Sequence, residues 1–392
     1  MELRDALIYL NPHWKNGYFY KYEKERKWVA KLKRYLHEPI IKALVGPRRV
    51  GKSVILKQLI NHLMKEGVER KGILYYSFEE GGSIWEVLKA YKMLMAREPS
   101  YLFLDEVQYA PRWKEELKRI YDMEEKPIII SGSVSLALEK GRESLAGRMY
   151  VFKIGALSFE EYLSFTGSPK AEYVFQEFLT RQLPYLALHP EAEPYLYLSE
   201  LVKKAIHEDS RLLGVGNTSL LESIFRGLMD RSGQIVIIED LAQEYGASRP
   251  TISRYLQALE WLALVRKVYN YRGSRRKSEV KAKKFYPFYS MLAYYGGIPE
   301  IGLLYESYVA ESTQAEFFWR KGNREIDFYF PEEKMAIEVK AKTRVRKREL
   351  STLCNTKLDI ERRIVVVREN TVLESPCEIE KVIITDVDNL KK

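Results

Sequence analysis

GPRRVGKS, Gly46–Ser53, is the stretch that decides the fold of this chain. It meets the phosphate-loop pattern G-x-x-x-x-G-K-[ST] at every fixed position. KALV before it reads as a short buried strand. VILKQLINHLMKEG after it reads as a helix with Val54, Leu56, Leu59, Ile60 and Leu63 mostly on one side. A glycine-rich turn between strand and helix aims backbone N–H groups at a phosphate chain, and the helix N-terminus adds partial positive charge. Gly46, Pro47, Arg48, Arg49, Val50, Gly51, Lys52 and Ser53 are therefore the expected nucleotide cradle. Lys52 is expected to reach the β- and γ-phosphates, and Ser53 to complete a Mg²⁺ shell.

SYLFLDEVQ, Ser100–Gln108, supports the same reading independently. It is an apolar strand ending in two carboxylates, at the strand edge where open α/β sheets place their ligands. Asp105 is the expected metal-side carboxylate, and Glu106 the group that orients or deprotonates the attacking water. Asp105 follows Lys52 by 53 residues, which leaves room for the loop helix, the strand ILYYSF and a further helix near Ile84–Met95. In KPIIISGSVS, Ser133 or Ser135 at the end of a strand is placed to sense the γ-phosphate. Arg148, just before the strand MYVFKI, is a candidate to close the site of its own or a neighbouring subunit.

A length of 392 residues predicts two to four domains. With 64 Lys and Arg against 54 Asp and Glu, the net charge is +10, a mild excess that favours nucleic acid or another anionic surface. Cys354 and Cys377 stand far apart without a second pair. A disulfide scaffold or zinc cluster is not expected; a reducing cytosol suits the two thiols, and one bridge stays open. No apolar run reaches membrane-spanning length, and MELRDALIYLNPHWKNGYF lacks the layout of a signal peptide, so the expected location is cytoplasmic. Heavy use of Lys and Glu with little Cys leans towards a heat-adapted source.

The expected organisation has five parts: a basic, aromatic helical lead-in (1–37), a phosphate-loop α/β core with a parallel sheet (38–157), a helical lid rich in aromatics (158–230), a winged helix (231–284) and a C-terminal α/β domain (285–392). In the fourth part DLAQEYG and RPTISRYLQALEWLALV read as two helices across a short turn, with Pro250 in a helix-opening position. Leu241, Ala242, Tyr245, Ile252, Leu256 and Leu259 would pack that core. Arg249, Thr251, Ser253, Arg254 and Gln257 would form the exposed recognition face. The run YRGSRRKSEVKAKKFY follows the next strand and holds Arg272, Arg275, Arg276, Lys277, Lys281, Lys283 and Lys284 against one acid, which fits a basic wing on DNA. Such domains also dock proteins, and that reading stays open.

The last part carries a second candidate site. KGNREIDFYFPEEKMAIEVKAK places Asp327 at the start of one strand of a hairpin, with Glu338 and Lys340 on the next. Residues two apart on a strand share a face. Asp327 and Glu338 could share a divalent ion, and Lys340 could stabilise charge at a phosphate. Glu306 in LLYESYVAES would complete the set, with Glu311 as its substitute.

On these motifs the chain resembles prokaryotic, largely archaeal, AAA-like P-loop ATPases that pair an AAA_14-type domain with a C-terminal DUF4143-like region. The resemblance runs over nearly the whole chain and rests on GPRRVGKS, LFLDEVQ, IISGSVS followed by LAGR, and KGNREIDFYF with IEVKAK. It implies Walker A roles for Lys52 and Ser53, Walker B roles for Asp105 and Glu106, a sensor at Ser133 and the arginine of the LAGR segment at Arg148. It also implies a restriction-endonuclease-like, PD-(D/E)xK, fold at the C-terminus, with Asp327, Glu338 and Lys340 as its core and Glu306 as its helical acid. The expected function is ATP hydrolysis with Mg²⁺, coupled to binding or processing of nucleic acid. The alternative is an ATP-dependent switch that binds a protein partner through an inactive nuclease-like domain, as a homo-oligomer or alone.

Overall fold

A computed structural model describes residues 2–22, 24–132, 145, 147–274 and 282–390 of the chain. Its backbone divides after Gly155 into two compact units.

The first unit is a five-stranded sheet of β1 (Ile41–Val45), β2 (Ile73–Ser77), β3 (Tyr101–Asp105), β4 (Ile128–Gly132) and β5 (Met149–Lys153), in the order β2-β3-β4-β1-β5. Every pairing is parallel. Parallel strands covered on both faces are apolar throughout, and all five residues of β1 are buried. One of them is Lys42, whose ammonium reaches the Glu38 carbonyl and whose pKa burial pushes down to about 8. The crossing helices include Lys52–Lys65, Ile84–Met95 and Trp113–Met123. The second opens on a capping box between Ser83 and Glu86, which satisfies N–H groups that a helix start leaves unpaired. Ile84, Val87, Leu88, Trp113, Leu117 and Ile120 pack with alternate residues of the strands in one cluster.

β2 lies at the edge of the sheet, where unpaired backbone groups invite association. The lead-in covers it. Asn11 uses its side-chain amide as a strand would, accepting from the Tyr75 N–H and donating to the Tyr75 carbonyl, both at 2.8 Å. Trp14 Nε1 donates to the Ile73 carbonyl at 2.8 Å, and His13 Nε2 reaches the same oxygen at 3.1 Å. A carbonyl only accepts, so Nε2 carries the proton and Nδ1 accepts from the Tyr20 hydroxyl. Burial pushes the His13 pKa down to about 4.

In the second unit, the helices Phe159–Thr166, Glu172–Phe178, Pro184–Leu188, Pro194–His207 and Thr218–Asp230 come first. They are followed by β6 (Ile235–Val236), the helices Ile238–Glu244 and Arg249–Trp261, β7 (Val265–Asn270) and β8 (Lys283–Pro287). The helix Ile301–Ser312 then leads into β9 (Phe317–Lys321), β10 (Arg324–Ile326), β11 (Phe328–Phe330), β12 (Met335–Lys340) and β13 (Arg344–Val345). Last come β14 (Arg362–Val367), β15 (Val372–Leu373) and β16 (Glu380–Ile383).

Two main sheets form, β10-β9-β7-β8-β6 and β11-β12-β14-β16, beside a small β13-β15 pair. These pairings cut across the expected boundaries inside this unit. β8 spans the 284/285 boundary and pairs with both β6 and β7, while β7 pairs with β9. Phe159, Tyr162, Phe175 and Phe178, from the segment expected to be a lid, share one core with Tyr305, Tyr308, Phe328, Ile337 and Ile364. Half-buried carboxylates fasten the same segment: Asp388 accepts from the Phe159 N–H at 2.9 Å, and Glu172 pairs with Arg368 at 2.6 Å. Cys354 and Cys377 are joined in a disulfide, with Cα atoms 5.9 Å apart. A separation of 23 residues does not decide such a bridge; the fold brings the two together. No helix among the described residues is long and apolar enough to cross a membrane.

Candidate functional sites

The loop Gly46–Ser53 leaves the C-terminal end of β1 and enters the helix Lys52–Lys65 through Gly51, whose φ of +93° is left-handed. Gly46 is required for a second reason: a Cβ there would lie 1.9 Å from the Ile154 carbonyl oxygen. Arg49, at φ +63°, adopts the left-handed region without being glycine. Lys52 Nζ donates to the Gly46 and Pro47 carbonyls at 3.0 and 2.7 Å, so its ammonium sits within the loop. From the lead-in, Arg26 Nη1 donates to the Val50 and Gly155 carbonyls, both at 2.8 Å. Arg48 donates to the Tyr109 hydroxyl at 2.5 Å and stands 3.8 Å from Glu79.

Asp105 ends β3 and is 2% exposed. Tyr75 on β2 donates its hydroxyl to Oδ2 at 2.7 Å, and Ser131 on β4 donates to Oδ1. The Ser131 oxygen also accepts from the Glu106 N–H at 3.3 Å. Burial, then the Asp105 charge, pushes the Tyr75 pKa far above the ordinary phenol range, so this hydroxyl is a fixed donor. Glu106 turns the chain with φ +49°, a conformation unfavourable for a residue with a Cβ, and its Oε2 accepts from Gln108 Nε2 at 2.5 Å. Lys57, one helical turn beyond Ser53, faces the rings of Tyr75 and Tyr20 at 5.4 and 5.7 Å.

Arg148 is not brought to this cluster. Its carbonyl accepts from the Ile41 N–H, so it stands at the N-terminal end of β1, roughly 13 Å along the strand from the loop. Its guanidinium pairs with Asp122 at 2.8 Å. Ser133 and Ser135 lie outside the described residues. The serine that meets Asp105 is Ser131, overlooked in the sequence although it is a hydroxyl inside the apolar run of β4. Tyr75 and Arg26 carried no comparable signal.

In the second unit, the hairpin β11-β12 pairs Phe328 with Ile337, which sets Asp327 across from Glu338. Asp327 Oδ2 accepts from the Val339 N–H at 2.8 Å, and Lys340 Nζ donates to Glu338 Oε1 at 2.6 Å. Glu338 is 8% exposed, and no hydrogen bond reaches its Oε2 among the described residues. Burial, then the Asp327 charge, pushes the Glu338 pKa up to about 8. Glu306 is the helical acid of the group: burial, then Asp327, raises it to about 7, while its Oε1 accepts from the Tyr286 hydroxyl at 2.5 Å. Glu311 stands elsewhere, accepting from Gln182 and Ser290.

Lys284 belongs to this cluster rather than to a basic wing. It is 3% exposed and bonds Glu325 at 2.6 Å, with Glu306 at 3.6 Å. Its position in a run of lysines hid a buried partner of carboxylates. Among the described residues no trio of His, Cys, Asp and Glu side chains converges closely enough to hold a metal ion by itself.

On the helix Arg249–Trp261, capped by Ser248, the residues Ile252, Tyr255, Leu256 and Leu259 are buried, while Arg249, Ser253, Arg254 and Gln257 are exposed. Arg249 pairs with Glu239 at 2.7 Å, and the Arg254 guanidinium lies over the Tyr255 ring. Arg275, Arg276 and Lys277 lie outside the described residues.

Residues 38–163 match the AAA_14 family model, described as an AAA domain. Residues 183–294 match a model described as a domain of unknown function, DUF8612, where the resemblance had implied a DUF4143-type region. An uncharacterized protein of Haemophilus influenzae is 28% identical over 267 residues, covering 63% of this chain and 67% of that protein. The uncharacterized protein MJ1637 of Methanocaldococcus jannaschii is 27% identical over 281 residues, covering 62% of this chain and 59% of its own length. Among solved structures, AMPPCP-bound DnaA from Aquifex aeolicus aligns at 17% identity and a TM-score of 0.31, covering 64% of this chain and 92% of that one. An S. cerevisiae Hsp104:casein complex aligns at 15% and 0.33, covering 64% and 52%. Likenesses this distant carry nothing about partner or substrate. The chain thus carries an AAA-type P-loop domain that binds and hydrolyses ATP, followed by a separate α/β domain.

Proposed function

We propose that this protein couples Mg²⁺-dependent ATP hydrolysis to the binding of nucleic acid. The Ser53 hydroxyl and the Asp105 carboxylate are hard oxygen donors that suit Mg²⁺, an ion that keeps several waters and takes the rest of its shell from substrate phosphates. When bound, the ion neutralises charge on the β- and γ-phosphates. The protein's own part is to cradle the triphosphate on the Gly46–Ser53 amides, to hold Lys52 at the phosphates and to take a proton from water at Glu106. Glu106 stands in a strained turn directly after β3, at the ligand edge of the sheet, which supports that role.

The observation that carries the nucleic-acid reading is the run from Thr218 to Pro287. Its order is helix, short strand, two helices across a tight turn, then two antiparallel strands, and Arg254 stands on the exposed side of the second of the paired helices. That order supports a winged-helix reading, and a net charge of +10 suits a polyanion. The test is ATP hydrolysis with duplex, branched and single-stranded DNA beside salt titrations of binding. Stimulation supports the coupling. No stimulation and no salt-dependent binding would leave the protein-docking switch.

A second reading concerns Asp327, Glu338, Lys340 and Glu306, which match the carboxylate-and-lysine core of a metal-dependent nuclease. The Oε2 of buried Glu338, which no hydrogen bond reaches among the described residues, suits a divalent ion. Metal titration and a cleavage assay with Asp327→Asn and Glu338→Gln decide it. Cleavage undiminished in Asp327→Asn would point to another site, and a parent without metal affinity would be a binding module.

A further inference from the structure

Asp105 is gripped from both neighbouring strands. Tyr75 on β2 and Ser131 on β4 each give a hydroxyl to a different carboxylate oxygen. Tyr75 is itself immobilised: it is 3% exposed, and both of its backbone groups bond the Asn11 amide at 2.8 Å. The Lys57 ammonium over its ring also faces Tyr20, whose hydroxyl meets His13 Nδ1 at 2.9 Å. A chain of contacts thus runs from the N-terminal segment, through an edge strand, to the carboxylate at the ligand edge of the sheet.

We propose that Tyr75 is a positioning residue for Asp105 and that the N-terminal segment, through Asn11, sets it. A lone carboxylate at a strand end can turn about its χ2 bond, which would move the oxygen that meets the metal's water. Two hydroxyls from opposite sides hold it in one orientation and leave a further lone pair on each oxygen. Ser131 alone would fix one oxygen and let the other swing. Without Asn11 the Tyr75 N–H and carbonyl would lose their partner on the outer side of β2, where among the described residues no further strand pairs.

Tyr75→Phe keeps the ring in the core and removes only the donor. The expected result is a loss of about tenfold in kcat with KM for ATP within about twofold, as for removal of one hydrogen bond to a charged group. The Mg²⁺ concentration that half-saturates tight binding of a fluorescent ATP analogue should rise several-fold, while the analogue's affinity in EDTA stays that of the parent. Binding in EDTA also shows that the variant is folded. Asn11→Ala takes both bonds from the Tyr75 backbone and should raise the Mg²⁺ requirement in the same direction, with binding in EDTA again showing that the variant is folded. A parental Mg²⁺ requirement in Tyr75→Phe or in Asn11→Ala would overturn the proposal.

Discussion

Asp105 and Glu338 are both buried carboxylates, and they are satisfied in opposite ways. Asp105 has a neutral hydroxyl on each oxygen, from Tyr75 and Ser131. Glu338 has one oxygen on Lys340 and, among the described residues, no hydrogen bond on the other, with the Asp327 charge acting on both Glu338 and Glu306. The contrast teaches what each site is prepared for. Hydroxyl donors orient a carboxylate without neutralising it, so the first site is set to work on charge that arrives with a nucleotide. Crowded acids with too few donors favour a proton or a cation, and Glu338 and Glu306 pass from neutral to charged inside the pH range where enzymes work.

The largest effect that would break this contrast is on hydrolysis. Glu106→Gln should lower ATP turnover on the order of a thousandfold with ATP affinity retained, since it removes a base and keeps its shape. Phosphate release alongside calorimetry checks this, and turnover at the parental rate would remove Glu106 from its role. Gly46→Ala should weaken ATP binding about a hundredfold by forcing the loop off the Ile154 carbonyl, because backbone cannot yield there as a side chain can. The same calorimetry reads it.

The second site gives a pH signature. Glu338 and Glu306 have native pKa values of about 8 and about 7, above the ordinary 4.5, so the folded state holds protons that the unfolded chain releases. Their stabilisation is complete below pH 4.5 and is lost as the pH climbs through 7 and 8. In EDTA the melting temperature of the second unit should fall by a few degrees between pH 6 and pH 9. Glu338→Gln should flatten that fall, and Mn²⁺ should raise the melting point more at pH 9 than at pH 6 in the parent alone. A melting temperature that rises with pH over this range would show that the cluster is neutralised in another way.

The smallest expected effect is at the exposed helix. Arg254→Ala should weaken DNA binding a few-fold and lower the log–log salt slope by about one if it meets a phosphate. An unchanged slope in a salt titration would favour protein docking.

Much of the first unit was legible because its signals are local. A strand, a glycine turn and a helix follow one another in GPRRVGKS and its flanks, and the carboxylates of LFLDE end a strand whose apolar run announces burial on both faces. What the sequence alone determined was therefore the phosphate loop, the parallel α/β core and the pair Asp105 and Glu106. Tertiary structure decided the partners: Ser131 and Tyr75 come to Asp105 only because β4 and β2 flank β3, an order that the linear order of the strands does not state. It also moved Lys284 from a basic run into a carboxylate cluster, placed Arg148 at the far end of its strand, and joined Cys354 to Cys377. Local periodicity reports which side of an element is buried. Which residue of another element meets it there depends on how the elements pair, and that is settled only when the chain folds.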